Sequence, residues 1–148
     1  MLDKNFIEMK IDLIQKELGR LSVFRDFTLD EVAGDFFKYN TLERLLEKII
    51  IRAVDINQHI IVEFADEKTL SPIDYRQTFL EIARFGVYPK EFGEGISRSV
   101  GTRNVLVHDY DDEKTDYGKI YSSIGDCLRD YHRYCGYILE FLEKQTKT

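Results

Sequence analysis

Residues 39–61 read YNTLERLLEKIIIRAVDINQHII. Leu42, Leu46, Ile49, Ala53, Ile56 and Ile60, continued by Phe64, recur at steps of three and four, and Leu45, Ile50, Ile51, Val54 and Ile61 widen the stripe. A stripe that wide on a 3.6-residue period describes a helix buried over most of its circumference, so other helices must surround it. Thr41 offers an N-cap. Arg52, Asp55 and His59 form the one polar line on this helix. An ordinary interhelical hydrogen-bond network explains that line, and a cleft between two subunits is the alternative.

The neighbouring segments supply the partners. Ile7, Ile11, Ile14, Leu18 and Leu21 predict an amphipathic helix over residues 4–25. Thr28 with Glu31 is a capping-box pattern, predicting a short helix that ends near Tyr39 and Asn40. Ser71 and Pro72 read as an N-cap and first helical position, starting a helix that runs to about Phe85 and is stopped by Gly86. Tyr88 and Pro89 restart the chain, and a helix of lower propensity, holding Gly93, Gly95 and Gly101, carries Phe92, Ile96, Val100, Leu106 and Val107. The last helix, capped at Thr115, repeats apolar residues on heptad spacing at Tyr117, Ile120/Tyr121, Ile124, Cys127/Leu128, Tyr131, Tyr134/Cys135, Ile138 and Phe141/Leu142. Nothing alternates with period two, so the expected fold is an all-α bundle of about five helices in a single domain, residues 1–148. Seams this regular also invite a partner helix, and a homodimer is expected.

Composition fits that picture. The chain has 148 residues, 43% hydrophobic and 13% aromatic, with only two prolines, enough apolar surface for a real core and few helix breakers. Its net charge of -6 argues against wrapping nucleic acid by bulk attraction. The charge is uneven: residues 1–70 hold ten Lys/Arg against fourteen Asp/Glu, residues 71–108 five against four, and residues 109–148 six against nine. No run of eighteen apolar residues and no signal-peptide core are present, so a cytoplasmic protein without a membrane partner is expected. Cys127 and Cys135 stand eight apart on one helix, about 12 Å along its axis, and are expected to be reduced and buried.

The non-acidic third leads into RNVLVHDY, residues 103–110. On an ideal helix residues five apart are separated by about 140°, so Arg103 and His108 meet only where the helix ends and the long arginine reaches along it. Arginine and histidine are the pair a metal-free ribonuclease needs. The imidazole carries protons near neutral pH and the guanidinium holds the phosphate as its charge redistributes. Asn104 stands where it supports a phosphate oxygen or the ring. The competing reading pairs Arg103 with an acidic neighbour and leaves His108 and Tyr110 at an ordinary helix end. The acidic run at Asp109, Asp111, Asp112 and Glu113 is a solvated loop or a surface for a basic partner. Arg76, Arg84, Arg98 and Lys90 are candidate RNA-phosphate contacts, or simply surface cations. No H-x3-H, C-x2-C or phosphate-loop spacing occurs, so neither a metal nor a cofactor is expected.

RNVLVHDY also matches the R-x4-H-x-Y signature of the HEPN superfamily (higher eukaryotes and prokaryotes nucleotide-binding domains), and the chain resembles its HepT-like toxins. The resemblance extends to YNTLERLLEKIIIRAVDINQHII as the central helix, to SPIDYRQTFLEIARFGVYP as the next, and to the motif's place before a long last helix. It implies the toxin of a type VII HEPN/MNT toxin–antitoxin system: a dimeric, metal-independent endoribonuclease with Arg103 and His108 as its composite active site. It also implies a MntA-like nucleotidyltransferase antitoxin as partner, which neutralises the toxin by AMPylation of Tyr110. A phosphate placed two residues from His108 repels RNA and competes for Arg103. Two other readings remain: a non-catalytic helical interaction or substrate-presenting subunit of a nucleotidyltransferase, and a plain dimerisation bundle.

Overall fold

The computed structural model describes residues 2–69, 74–101 and 117–146, and every regular element among them is helical. The elements are α1 (Lys4–Ser22), a 3-10 turn (Val23–Asp26), α2 (Leu29–Ala33), α3 (Phe36–Phe64), α4 (Tyr75–Arg84), α5 (Lys90–Ser97) and α6 (Tyr117–Thr146). The centre is α3, with Leu42, Leu46, Ile49, Ala53, Ile56 and Ile60 all at or below 1% exposure. Helices α1 and α4 pack on α3, α1 and α2 also contact α6, and α5 packs on α4.

Side-chain caps decide where these helices start. Asp3 accepts the Phe6 amide at α1, and Thr28 accepts the Glu31 amide at α2 as expected. The central helix starts earlier than the sequence suggested. Asp35 accepts the amides of Phe37 and Lys38, so Thr41 lies inside α3 and the helix spans 29 residues, about 43 Å. The separate helix predicted to end near Tyr39 and Asn40 therefore stops at Ala33. Likewise α1 ends at Ser22, whose hydroxyl turns back to the Gly19 carbonyl as the chain tightens into the 3-10 turn that buries Phe24. Asp74 caps α4 in a full capping box with Gln77. The proposed start at Ser71 and Pro72, like Thr115, Leu106 and Val107, lies outside the described residues.

Two glycines answer to geometry. Gly86 ends α4 with φ +88, a left-handed conformation that side chains rarely adopt. Gly93 lets α5 approach α4 closely: a β-carbon there would sit 3.2 Å from both the Phe79 carbonyl and the Tyr88 ring. On α6 the heptad residues Ile120, Ile124, Cys127, Tyr131, Tyr134, Ile138 and Phe141 are buried. Both cysteines are free and buried. Burial, helped by Asp130 and Asp126, pushes the Cys127 thiol far up, and burial pushes that of Cys135 up to about 12.

The polar line of α3 faces α1. His59 Nε2 accepts the Asp3 amide at 2.9 Å, Lys10 donates to Asp55 at 2.9 Å, and Arg52 donates to Glu17 at 2.9 Å. It is the interhelical network, built within one chain. Glu17 is 3% exposed and also meets Arg20 at 3.2 Å. Burial by itself would raise its pKa, but the hydrogen bonds from Arg52 and Arg20 outweigh that and hold it below the ordinary 4.5. A lowered folded-state value stabilises the fold above pH 4.5 and loses that contribution as the pH falls through the folded value. Glu17→Gln is therefore expected to lower stability by about 1.5 kcal/mol at neutral pH. In urea unfolding the gap to wild type should narrow once the pH drops below 4.5, and a constant gap would refute the ionic account.

Candidate functional site

The motif residues Arg103, Asn104, His108 and Tyr110 lie in segment 102–116, outside the described residues. What the structure gives is the frame on both sides of that segment. Before it, the chain turns at Arg98 after α5, and residues 99–101 are helical. Ser99 donates to the Ile96 carbonyl at 2.7 Å and its hydroxyl lies 2.6 Å from that of Tyr131. Tyr131 is fully buried on α6, and burial raises its pKa well above the usual value, so the phenol stays protonated at physiological pH. After the segment, Tyr117 packs edge-on against Tyr39 with ring centroids 4.6 Å apart, and the Tyr121 hydroxyl donates to the Phe27 carbonyl. The described residues on both sides of the motif-bearing segment are thus tied to α6 or through it to the body.

A buried chain of hydrogen bonds holds α6 itself in place. Tyr134 donates to Asn57 Oδ1 at 2.6 Å, Asn57 Nδ2 donates to Thr78 Oγ1 at 3.1 Å, and Thr78 donates to the Tyr75 carbonyl at 2.6 Å. All three side chains are at most 1% exposed, so the polar atoms that leave water are paired with one another. The network joins α6, α3 and α4. Asn57 escaped the sequence reading because its neighbours Asp55, Gln58 and His59 gave that turn a solvent-facing look. The available signal was its position four after Ala53 and three before Ile60, on the buried stripe.

Two clefts open beside this frame and share Arg98. One, of about 600 Å³, is lined by Tyr75, Arg76, Ser97, Arg98, Val100 and Gly101, with Asp74 at its edge. It abuts the last described residue before the motif. The other, of about 500 Å³, runs between α5 and α6 with Leu46 and Ile50 of α3 at its floor. Of the cations singled out from sequence, the structure brings Arg76 and Arg98 together at the first cleft, both exposed. Among the described residues neither has a carboxylate within ion-pair distance. Arg84 is arranged otherwise. Its guanidinium meets Asp66 at 3.0 Å, Thr69 at 3.1 Å and also Glu81, and it lines neither cleft. The hydrogen bond from Arg84 comes first in holding the Asp66 carboxyl down at about 2. Lys90 is exposed, 3.9 Å from Glu94.

Among the described residues no group of three His, Cys, Asp or Glu is arranged to hold a metal ion, and no helix is long and apolar enough to cross a membrane. The arrangement offers solvent-open clefts lined by arginines beside the described residues that precede the motif in sequence.

The profile of the ribonuclease HepT-like family matches residues 14–138. Over 136 residues the chain is 32% identical to the tRNA nuclease HepT of Aphanizomenon flos-aquae (strain 2012/KM1/D3), covering 92% of this chain and 89% of that protein. Several solved structures are similar to it in fold. The cytosolic protein YutE of Bacillus subtilis gives a TM-score of 0.78 at 19% identity, over 97% of this chain and 93% of that one. The HEPN toxin of Shewanella oneidensis, solved tri-AMPylated and in complex with MNT antitoxin, gives 0.77 at 22% identity, over 95% of this chain and 99% of that one.

Proposed function

The chain belongs to the HepT-like ribonuclease family, and from that premise we propose that it is the toxin of a toxin–antitoxin pair, an endoribonuclease that works without a metal. The observation that carries this reading is the position of the R-x4-H-x-Y motif, Arg103 to Tyr110, inside the matched residues 14–138. Arg76 and Arg98, two arginines with no ion-pair partner among the described residues, support it. They line the cleft that ends at Gly101, two residues before Arg103.

In the proposed mechanism His108 takes the proton of an RNA 2'-hydroxyl, whose oxygen attacks the adjacent phosphorus. The O2'–P bond forms, the P–O5' bond breaks, and the departing 5'-oxygen receives a proton from the imidazolium of a second copy's His108. Arg103 neutralises the phosphorane oxygens as charge builds, and Asn104 holds the phosphate or the ring. One short motif then suffices because a homodimer presents it twice. Since the relative from Aphanizomenon flos-aquae is named a tRNA nuclease, tRNA is the first substrate to test.

Regulation follows from the same residues. A MntA-like nucleotidyltransferase directs the Tyr110 hydroxyl at the α-phosphorus of ATP; the phenol loses its proton and pyrophosphate leaves. The added phosphate charge then competes with RNA for Arg103. Co-expression with a MntA-like nucleotidyltransferase is expected to add whole AMP units to the peptide holding Tyr110, read by intact mass and peptide mapping. RNA cleavage should fall in step with the modified fraction. Unmodified Tyr110 in a neutralised complex would exclude this mode of control.

A further inference from the structure

The groove between α5 and α6 has no part in the proposed catalytic step, yet its chemistry is specific. Its walls hold Arg98, Lys119, Arg129 and Arg133 against Glu91, Asp126 and Asp130, a cationic balance in a chain whose overall charge is -6. Arg129 lies 3.4 Å from Asp126 and 3.0 Å from Asp130, so both aspartates are already engaged by a wall cation. Arg133 lies with its guanidinium carbon over the Phe92 ring, 5.2 Å from the centroid. Phe92 in turn packs on Tyr88 and Tyr137 at centroid distances of 4.9 and 4.8 Å, so the arginine rests on an aromatic base held by two further rings. Further along the same wall the groove is lined by the hydroxyl-bearing residues Ser122 and Ser123.

Resting on the ribonuclease reading, we propose that this groove is a subsite for single-stranded RNA, taking the nucleotides that flank the scissile phosphate: one base stacks on the Arg133–Phe92 pair and a backbone phosphate is held by Arg98. Three observations converge on that ligand. A volume of about 500 Å³ is of the order of a nucleotide-sized pocket. A guanidinium backed by an aromatic ring is a sequence-tolerant platform for a base. Arg98 lines this groove and the cleft at Gly101, which makes the two clefts successive stations on one path. Single strands fit this site because their bases are free to leave the stack, whereas the edges of a duplex present no open base face.

Two substitutions test the groove without touching the motif. Arg133→Gln removes the charged half of the platform. Ser122→Glu places a carboxylate on the wall at an exposed residue whose hydroxyl donates to the Lys119 carbonyl of its own helix. Affinity is read on full-length protein with a short fluorescent 2'-O-methyl oligonucleotide, which has no 2'-hydroxyl to attack, and KM and kcat are read separately on tRNA. Each variant is expected to raise both Kd and KM about tenfold, the worth of one stacked base, with kcat and thermal midpoint unchanged. Unchanged Kd and KM would overturn the groove and leave the ribonuclease reading standing. Arg133-dependent binding by a wild-type protein that cuts no RNA would support the groove and sink the ribonuclease. Wild type that binds no oligonucleotide would defeat the subsite outright. Variants that alter the dimer mass instead of RNA affinity would assign the groove to a subunit contact and overturn the proposal.

Discussion

His108→Ala is expected to lower tRNA cleavage by a factor of about 100 or more, with the far-ultraviolet dichroism and thermal midpoint of wild type retained. The magnitude comes from the job assigned to the ring. A positioned proton carrier near neutral pKa is worth two to four orders of magnitude, and alanine leaves water as the only base. In a composite dimeric site the substitution removes the acid as well as the base, since both come from the same position in the two copies. The pH profile sharpens the test. Wild type should show a maximum near neutrality, where one imidazole is free and the other charged, and the residual activity of the variant should rise with hydroxide. A variant that cuts tRNA at the wild-type rate would remove His108 from the mechanism. It would also bring forward the reading of this chain as a non-catalytic, substrate-presenting partner of a nucleotidyltransferase.

The second large effect is on stability, at Asn57→Asp. The substitution changes one atom's identity at a fully buried position held between Tyr134 and Thr78. An ionised carboxylate there would keep the Tyr134 hydroxyl as donor, but it would lose the bond that Asn57 Nδ2 makes to Thr78 and would sit in the core, where among the described residues its side-chain partners are Tyr134 and Thr78 and not a cation. Burial then raises the carboxyl pKa in the folded state. Below the unfolded value of about 3.9 the acid is neutral in both states and the penalty is absent. As the pH rises through and beyond that value the unfolded chain ionises freely while the folded one resists, so stability is lost until the folded pKa is passed. The expected loss at neutral pH is about 3 kcal/mol or more, mostly recovered in acid. Urea midpoints across pH would read this directly, and a loss independent of pH would assign it to packing alone.

The bundle was legible because burial over long helices writes a strong period into sequence. The stripes of α1, α3 and α6 were recovered nearly residue for residue, since each buried position repeats every three or four residues. Boundaries were harder, being set by single competing caps: Asp35 outbids Thr41 by taking two amides at once, and Asp74 caps α4. The Arg52, Asp55 and His59 line was readable as polar, yet only coordinates reveal that its partners are Glu17, Lys10 and the Asp3 amide. Asn57 shows the limit in the other direction, because a buried amide and an exposed one have the same letter. For the site, the sequence offered Arg103, His108 and Tyr110 as the residues that carry the chemistry, and they lie outside the described residues. The clefts that Arg76 and Arg98 line were not legible in the sequence, since they depend on α4, α5 and α6 meeting in space.

The three ties between α1 and α3 have a consequence for how the bundle assembles. On α1 they begin at residues 3, 10 and 17, one every two turns, while the apolar stripe between them would tolerate many dockings of similar greasiness. Sliding α1 by a single turn would unseat all three pegs together and strand Glu17 against isoleucine. Misdocked forms are therefore penalised as a set, and the first helix locks at one axial stop from which α6 can be laid down in only one way.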